Sequence, residues 1–372
     1  MTEIMRLKHI ITALTVSVLS LSGADDANAQ FKYTPQAARP LFQRDTLTIC
    51  IMGDMMMHTA QIEDAEQGDG TYCFDTYFVH LKDKIESADV AIANMEYTLA
   101  GKPYTGYPAF SAPDSYATYL AECGFDIFLC ANNHIFDKGS KGAARTLEKF
   151  RQLNVRYTGL AADEKELNET TPLVVLRKGM HIALVNFTYG VNLGADAHWP
   201  KVNFMGSKGK IADALKIAKG CQLTLALPHW GVEYSLRHSD RQREMAVWLA
   251  ENGADMIIGA HPHVVQDYEE IGDVQVAYSL GNAVSNMSAE NTQIELMATV
   301  RVTREENGDT KILPIEFTWL WCSRPGGYCE SYTVLPVEEF IDRKDEWQGI
   351  WDYEKMIRTY ENVRNITGIK TK

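Results

Sequence analysis

The sequence predicts a layered α/β protein, and three observations carry that expectation. Short apolar stretches of strand length recur along the chain, segments of helical spacing separate them, and polar groups follow the strands at a repeated position. Residues 47–52, 89–93, 126–131, 223–227, 255–259 and 274–279 read as strands, and 77–87, 115–123, 142–153, 211–218 and 242–251 as helices. Strands that are apolar throughout are buried on both faces, which places helices outside the sheet. Residues 173–176 and 181–187 form a hairpin turning at Lys178-Gly179. A second antiparallel pair, 294–303 and 311–321, turns at Asn307-Gly308, and a helix covers 350–364.

Composition excludes several classes. With 372 residues, 45% hydrophobic and 23% charged, the chain is neither disordered, fibrous nor multi-spanning. A formal charge of −13 makes nucleic acid and anionic membranes poor partners. A local cationic metal centre is the means by which such a protein holds an anionic substrate.

The N-terminus reads as an export signal. Arg6, Lys8 and His9 precede the mostly apolar run 10–21, and Ala27-Asn28-Ala29 offers small residues to a signal peptidase, predicting cleavage before Gln30 and a periplasmic or extracellular location. As a helix the run spans only about 18 Å, against about 30 Å of hydrocarbon, so an uncleaved anchor is the weaker reading. The expected organisation is therefore a signal peptide at 1–29, an extended lead-in at 30–46, one domain at 47–286, and a β-hairpin with a helical tail at 287–372. Export permits disulfides. Cys322 and Cys329 bracket Pro325, Gly326 and Gly327, a loop that can turn sharply enough to pair them, and no CxxC pair suggests a zinc–thiolate site.

The candidate site comes from where polar residues fall. Five apolar strands end in metal-ligating types: Asp54; Asn94 and Glu96; Asn132, Asn133 and His134; His229; His261 and His263. The carboxyl ends of parallel strands line one sheet edge, so these groups converge there. Two divalent ions need carboxylate or amide oxygens to balance charge and imidazoles to complete each shell, and Asp54, Asn94, Glu96, Asn132 or Asn133, His229, His261 and His263 supply that set. His134 is the candidate general acid, and Asp137, three residues on, fixes its tautomer. Glu233, four residues after His229, contacts ligand or holds a metal-bound histidine; with Tyr234, otherwise a rim aromatic, and Asn282 it makes the candidate substrate-binding set. His58, His80, His181, His198 and His238 read as surface or structural. Tyr104, Tyr107 and Phe110 lie on a Gly/Pro loop after Glu96 that forms a substrate wall or a flap.

In order and spacing, Gly53-Asp54-Met55-Met56, Asn94-Met95-Glu96, Ala131-Asn132-Asn133-His134 with Asp137, His229-Trp230-Gly231-Val232-Glu233-Tyr234, Gly259-Ala260-His261-Pro262-His263 and Tyr278-Ser279-Leu280-Gly281-Asn282 resemble the CapA, or poly-γ-glutamate capsule synthesis, family over about residues 47 to 286. The resemblance implies a calcineurin-like metallophosphoesterase fold, a β-sandwich flanked by helices, and a link to capsule synthesis. By that likeness Asp54 takes the place of the first metal-binding aspartate, Asn94 and Glu96 that of the bridging aspartate, and Asn133-His134 that of an Asn-His pair. His229, His261 and His263 take the places of the histidine ligands. Met56 stands where the phosphatase pattern has a histidine, which implies one weakened metal position.

Three functions fit these readings. The first is a divalent-metal-dependent hydrolase or transferase acting on an anionic extracytoplasmic polymer or its precursor. The second is a periplasmic phosphoesterase. The third is a non-catalytic subunit that binds polymer beside a membrane capsule synthase.

Overall fold

The computed structural model describes residues 45–194 and 198–370; the expected signal peptide and most of the lead-in lie outside the described residues. From Asp45 the chain runs through β1 (Asp45–Met55), α1 (Thr59–Ala65), α2 (Lys82–Glu86), β2 (Val90–Met95), α3 (Asp114–Glu122), β3 (Ile127–Leu129), α4 (Gly139–Gln152), β4 (Arg156–Thr158), β5 (Leu160–Ala161) and α5 (Glu164–Thr170). Then come β6 (Leu173–Arg177), β7 (Met180–Thr188), β8 (Lys201–Val202), α6 (Lys208–Ala218), β9 (Leu223–His229), α7 (Asp240–Glu251), β10 (Met256–Ile258), β11 (Tyr268–Ile271) and β12 (Val274–Ala277). The last elements are β13 (Ile294–Arg304), β14 (Thr310–Ile312), β15 (Glu316–Ser323), β16 (Thr333–Pro336), α8 (Val337–Phe340) and α9 (Ile350–Thr367). Among the described residues no helix is long and apolar enough to cross a membrane.

The strands build two large sheets rather than one. The first has the order β16-β15-β13-β1-β2-β3-β4, with β14 on β13, and the second the order β11-β12-β10-β9-β7-β6. β1 to β4 pair in parallel, as do β7, β9, β10 and β12, while β13 runs antiparallel to β1. Residues beyond 286 thus supply a strand that lies directly beside β1.

Strand alternation explains the layering. Leu47, Ile49 and Ile51 of β1, Ile92 of β2 and Ile127 of β3 face one way and meet Leu184 of β7, Leu225 of β9 and Ile258 of β10. Their neighbours Cys50, Met52, Ala93 and Phe128 face the other way, onto α3 and α4 through Tyr116, Leu120, Leu147 and Phe150. The outer face of the second sheet packs Val185, Phe187 and Ile257 onto α6 and α7 through Leu215 and Leu249. The result is helix, sheet, sheet, helix. Each fully buried Leu, Ile or Phe contributes about 1.5–3 kcal/mol, so the layer between the sheets is a principal source of stability.

Local signals set several boundaries. Ser239 and Gln242 form a capping box at the start of α7, and α9 stops at Gly368, whose φ of 72° suits a left-handed C-cap. The helix expected over 77–87 is confined to α2. Tyr77, Phe78 and Leu81 have helical spacing and are fully buried, but the tighter bonds Tyr77 N to Phe74 O and Leu81 N to Phe78 O, both 2.9 Å, close turns instead. The arm expected over 311–321 divides into β14 and β15 at Pro314, which has no N–H for the ladder.

The Cys322–Cys329 disulfide is not formed. Cys322, in β15 opposite Val334, sends its buried thiol to Ser285 O at 3.8 Å, while the Cys329 thiol donates to Ser331 O at 3.2 Å. The turn between them is closed by Gly326 N to Cys329 O and Tyr328 N to Ser323 Oγ, both 2.8 Å, so it needs no crosslink.

The end of β1 is clamped against residues 281–284. Asp54 N donates to Gly281 O and Met56 N to Val284 O, both at 3.0 Å, and a Cβ at Gly53 would stand 2.0 Å from Gly281 O. Gly53→Ala is therefore expected to lower stability by about 1–3 kcal/mol, as overpacking does. In thermal unfolding, Gly206→Ala, whose Cβ would meet nothing within 4 Å, serves as the neutral comparison.

Candidate metal centre

The five strand ends named from sequence divide three and two between the sheets: β1, β2 and β3 from the first, β9 and β10 from the second. This corrects the expectation of one sheet edge. The β6–β7 hairpin opens a new sheet whose apolar face closes on the first, and the carboxyl ends of both sheets meet. Asn186 ties them together, accepting from Ala131 N and donating to Leu227 O, both at 2.8 Å.

Asp54, Asn94, Glu96, His229, His261 and His263 are all buried at that junction. Asp54 Oδ1 accepts from Asn94 Nδ2 at 2.6 Å, and its Oδ2 lies 3.3 Å from His263 Nδ1 and accepts from His261 N at 3.2 Å. Glu96 Oε1 lies 3.5 Å from His229 Nε2, and its Oε2 3.7 Å from His263 Nδ1. His229 Nε2 meets Asn133 Oδ1 at 2.7 Å. The ligand atoms of Glu96, His229 and His261 all lie within 4.8 Å of one another, as do those of Asp54, Glu96 and His263. His261 and His263 hold positive φ values of 99° and 60° on either side of Pro262. Such non-glycine backbone costs about 1–3 kcal/mol per residue and persists where the surroundings impose it.

Among the described residues no group donates a hydrogen bond to either oxygen of fully buried Glu96, and Asn94 Oδ1 and His261 Nδ1 have no partner there. An ionised carboxylate taken out of water without a partner is destabilising by several kcal/mol, and a second carboxylate beside it adds repulsion. A divalent cation satisfies both groups at once. Carboxylate, amide and imidazole donors suit Zn²⁺, Mn²⁺, Fe²⁺ or Mg²⁺, so the residues present fit such ions.

Protonation of the cluster's own side chains follows the same logic. Burial, reinforced by the charge of Asp54, drives Glu96 well above the usual carboxylate range. Burial lowers His229 to about 3 and His261 well below the ordinary imidazole value. Burial also opposes charge on His263 and Asp54, but the hydrogen bond and attraction between them win, so His263 titrates above its ordinary value and Asp54 below its own.

Beside the cluster, His134 Nδ1 meets Asp137 Oδ2 at 2.7 Å, and that oxygen also accepts from Phe110 N at 2.8 Å. Asp137 so placed favours a proton on Nδ1 of the neutral ring and leaves Nε2 toward Glu96, 4.0 Å away. Asn132 is used differently: its Oδ1 accepts from His134 N at 3.1 Å and its Nδ2 donates to Met95 O at 2.8 Å, which commits the amide to the loop backbone. Asn282 is buried rather than facing the cleft, with Oδ1 at 2.9 Å from His263 Nδ1 and Nδ2 donating to Ser285 Oγ at 3.0 Å. It orients a histidine.

A cleft of about 740 Å³ opens over the cluster, lined by Tyr107, His134, Asn192, Glu233, Tyr234 and Met287 among others. Tyr107 is 72% exposed, whereas Phe110 is buried, its ring centroid 4.7 Å from that of His134. Sequence reasoning set His58 aside and did not single out Asn186, Asn192 or Glu295. His58 also lines the cleft. Glu295, on β13, accepts from Gly53 N at 2.7 Å, and Asn192 Nδ2 lies 3.3 Å from both ring nitrogens of His134. A polar residue inside an otherwise apolar strand was the available signal for Asn186 and Glu295.

Fold and site define a class: an α/β sandwich with a buried carboxylate–imidazole cluster of metal-binding composition where its two sheets meet. Within that class the chain belongs to the bacterial capsule synthesis protein PGA_cap family, whose family model matches residues 48–287. It is similar to the capsule biosynthesis protein CapA of Bacillus anthracis, 28% identical over an alignment of 296 residues that covers 75% of this chain and 69% of that one. It is also similar to the PGA biosynthesis protein CapA of Bacillus subtilis strain 168, 24% identical over an alignment of 325 residues that covers 83% of this chain and 80% of that one. Among solved structures, the NAD nucleotidase NadN of Haemophilus influenzae is 14% identical, covering 87% of this chain and 68% of that chain, with a TM-score of 0.46.

Divalent cations entering the cluster must displace the protons on Glu96 and His263, whereas His229 and His261 already offer lone pairs. Calorimetric titration in buffers of different ionisation enthalpy is therefore expected to record proton release. Affinity is expected to rise with pH and to level off only once the raised values of both Glu96 and His263 are passed. Asn282→Ala is expected to weaken binding by about 10–100-fold, as loss of a group that orients a ligand does.

Proposed function

We propose that this chain is an exported, metal-dependent hydrolase or transferase that acts on an anionic capsule polymer or its precursor outside the cytoplasm. The observation that carries the reading is Glu96, a buried carboxylate with no hydrogen-bond donor among the described residues, set among Asp54, His229, His261 and His263. Those five residues with Asn94 and Asn133 would hold the ions. Bound cations supply Lewis acidity toward a phosphoryl or carbonyl oxygen and make water acidic enough to attack near neutral pH.

The remaining chemistry belongs to the side chains. In its doubly protonated form His134 gives the Nε2 proton to the leaving group, while Asp137, bound at Nδ1, keeps the ring in one orientation and balances its charge, and Phe110 packs edge-on against that ring. Tyr107 and Tyr234 wall a cleft with room for a segment of chain. Membership of the capsule synthesis family supports the polymer, and the basic-then-apolar N-terminal segment supports export. On this reading the partners are the polymer and the membrane synthase that makes it, and a charge of −13 argues against nucleic acid.

The test is a hydrolysis and transfer screen of the Mn²⁺- or Zn²⁺-loaded protein over γ-glutamyl polymers and phosphoesters. Turnover is expected to disappear on chelation and to return on reloading. His134→Ala is expected to lower kcat by about 10²–10⁴-fold with metal content unchanged. Full activity after thorough metal removal, or polymer binding with no product under any condition, would contradict the reading.

A further inference from the structure

Glu233 stands on the cleft side of the cluster, on the loop that leaves β9. The start of this loop is anchored by Trp230, whose Nε1 donates to Tyr278 O at 2.9 Å. Beyond Glu233, Tyr234 N donates to Pro262 O at 2.8 Å, and Gln266 Nε2 donates to Ser235 O at 2.9 Å. Tyr234 adopts a φ of 65°, a backbone conformation that a tyrosine holds only where its surroundings impose it. The loop is thus fastened to the His-Pro-His turn at Pro262 O and to the chain just beyond it at Gln266. One consequence is distance: a carboxylate oxygen of Glu233 and the ligand nitrogens of His261 and His263 lie within 4.8 Å of one another.

The three groups differ in exposure in a way that suits a ligand shell. His261 and His263 are 3% and 2% exposed, and His261 Nδ1 has no hydrogen-bond partner among the described residues, whereas Glu233 is exposed. Two imidazoles and one carboxylate are a donor set for Zn²⁺, Mn²⁺ or Fe²⁺, and three protein ligands leave a coordination position for substrate. Among the described residues that line the cleft there is no lysine or arginine. A bound cation would give an anionic oxygen entering there a fixed positive partner.

We propose that Glu233 is a direct ligand of the cation that His261 and His263 hold, closing the centre on its cleft side. The proposal rests on the metal-dependent reading above and adds a residue to it. His261 and His263 also complete the inner groups with Glu96, so Glu233 extends toward solvent a shell that those histidines begin.

Glu233→Gln separates a ligand from a hydrogen-bond partner, because the amide still accepts but no longer carries charge. The experiment is calorimetric titration of the metal-free wild-type and Glu233→Gln proteins with Mn²⁺, together with visible absorption spectra of their Co²⁺ forms. Thermal unfolding of the metal-free proteins checks that the exposed substitution leaves the fold intact. The expected result is a loss of at least the roughly 10–100-fold that removal of even a supporting group causes, with altered Co²⁺ bands. Equal affinity, stoichiometry and spectra in the two proteins would overturn the role of Glu233 and leave the metal centre standing. Absence of cation uptake by the wild type itself would overturn both.

Discussion

Two carboxylates held out of water, Asp54 and Glu96, are the constraint on which the rest of this protein depends. Asp54 is tolerable because Asn94 and His263 hold its oxygens. Glu96 has no such support, and a buried charge left so would be neutralised by a proton or matched by a cation. Its neighbours decide between the two. Imidazoles that burial keeps neutral are poor proton donors but good ligands, and His229 and His261 are of that kind.

Much of the surrounding structure serves to hold these groups still. The absence of a side chain at Gly53 lets the end of β1 lie against Gly281, and Asn186 fastens β3 to β9 across the junction of the sheets. The left-handed backbone at His261 and His263 is stabilised by bonds from His261 N to Asp54 and from Tyr234 N to Pro262 O. The apolar layer between the sheets connects these local devices to global stability, because the strands that carry the site also fill it. A substitution in that layer would therefore be felt at the site as misplacement before it was felt as unfolding.

The layered α/β class was legible because it rests on local patterns: apolar strands, helical spacing and turn residues. The convergence of Asp54, Glu96, His229, His261 and His263 was legible because strand ends are recognisable in sequence and parallel strands share a direction. Membership of two sheets was not, since a hairpin that starts a new sheet and one that extends an old sheet have the same pattern. The helix expected over 77–87 shows a related limit, because buried residues at helical spacing also arise from successive tight turns. Amide side chains were hardest to place. Asn132, Asn133 and Asn282 look alike in sequence, yet one bonds its own loop, one meets His229 and one orients His263. Long-range contacts alone separate these roles, and the same holds for Glu295 on Gly53 and Asn192 beside His134.

Completion of the buried cluster by a cation is the expectation that joins these features. Anomalous diffraction from crystals grown with saturating Mn²⁺ tests it most directly, since the scatterer reports its own position. The expected result is a difference peak within ligating distance of Glu96 and of at least two of His229, His261 and His263. Crystals that place Mn²⁺ elsewhere, or that show no peak at Glu96 at saturation, would contradict it.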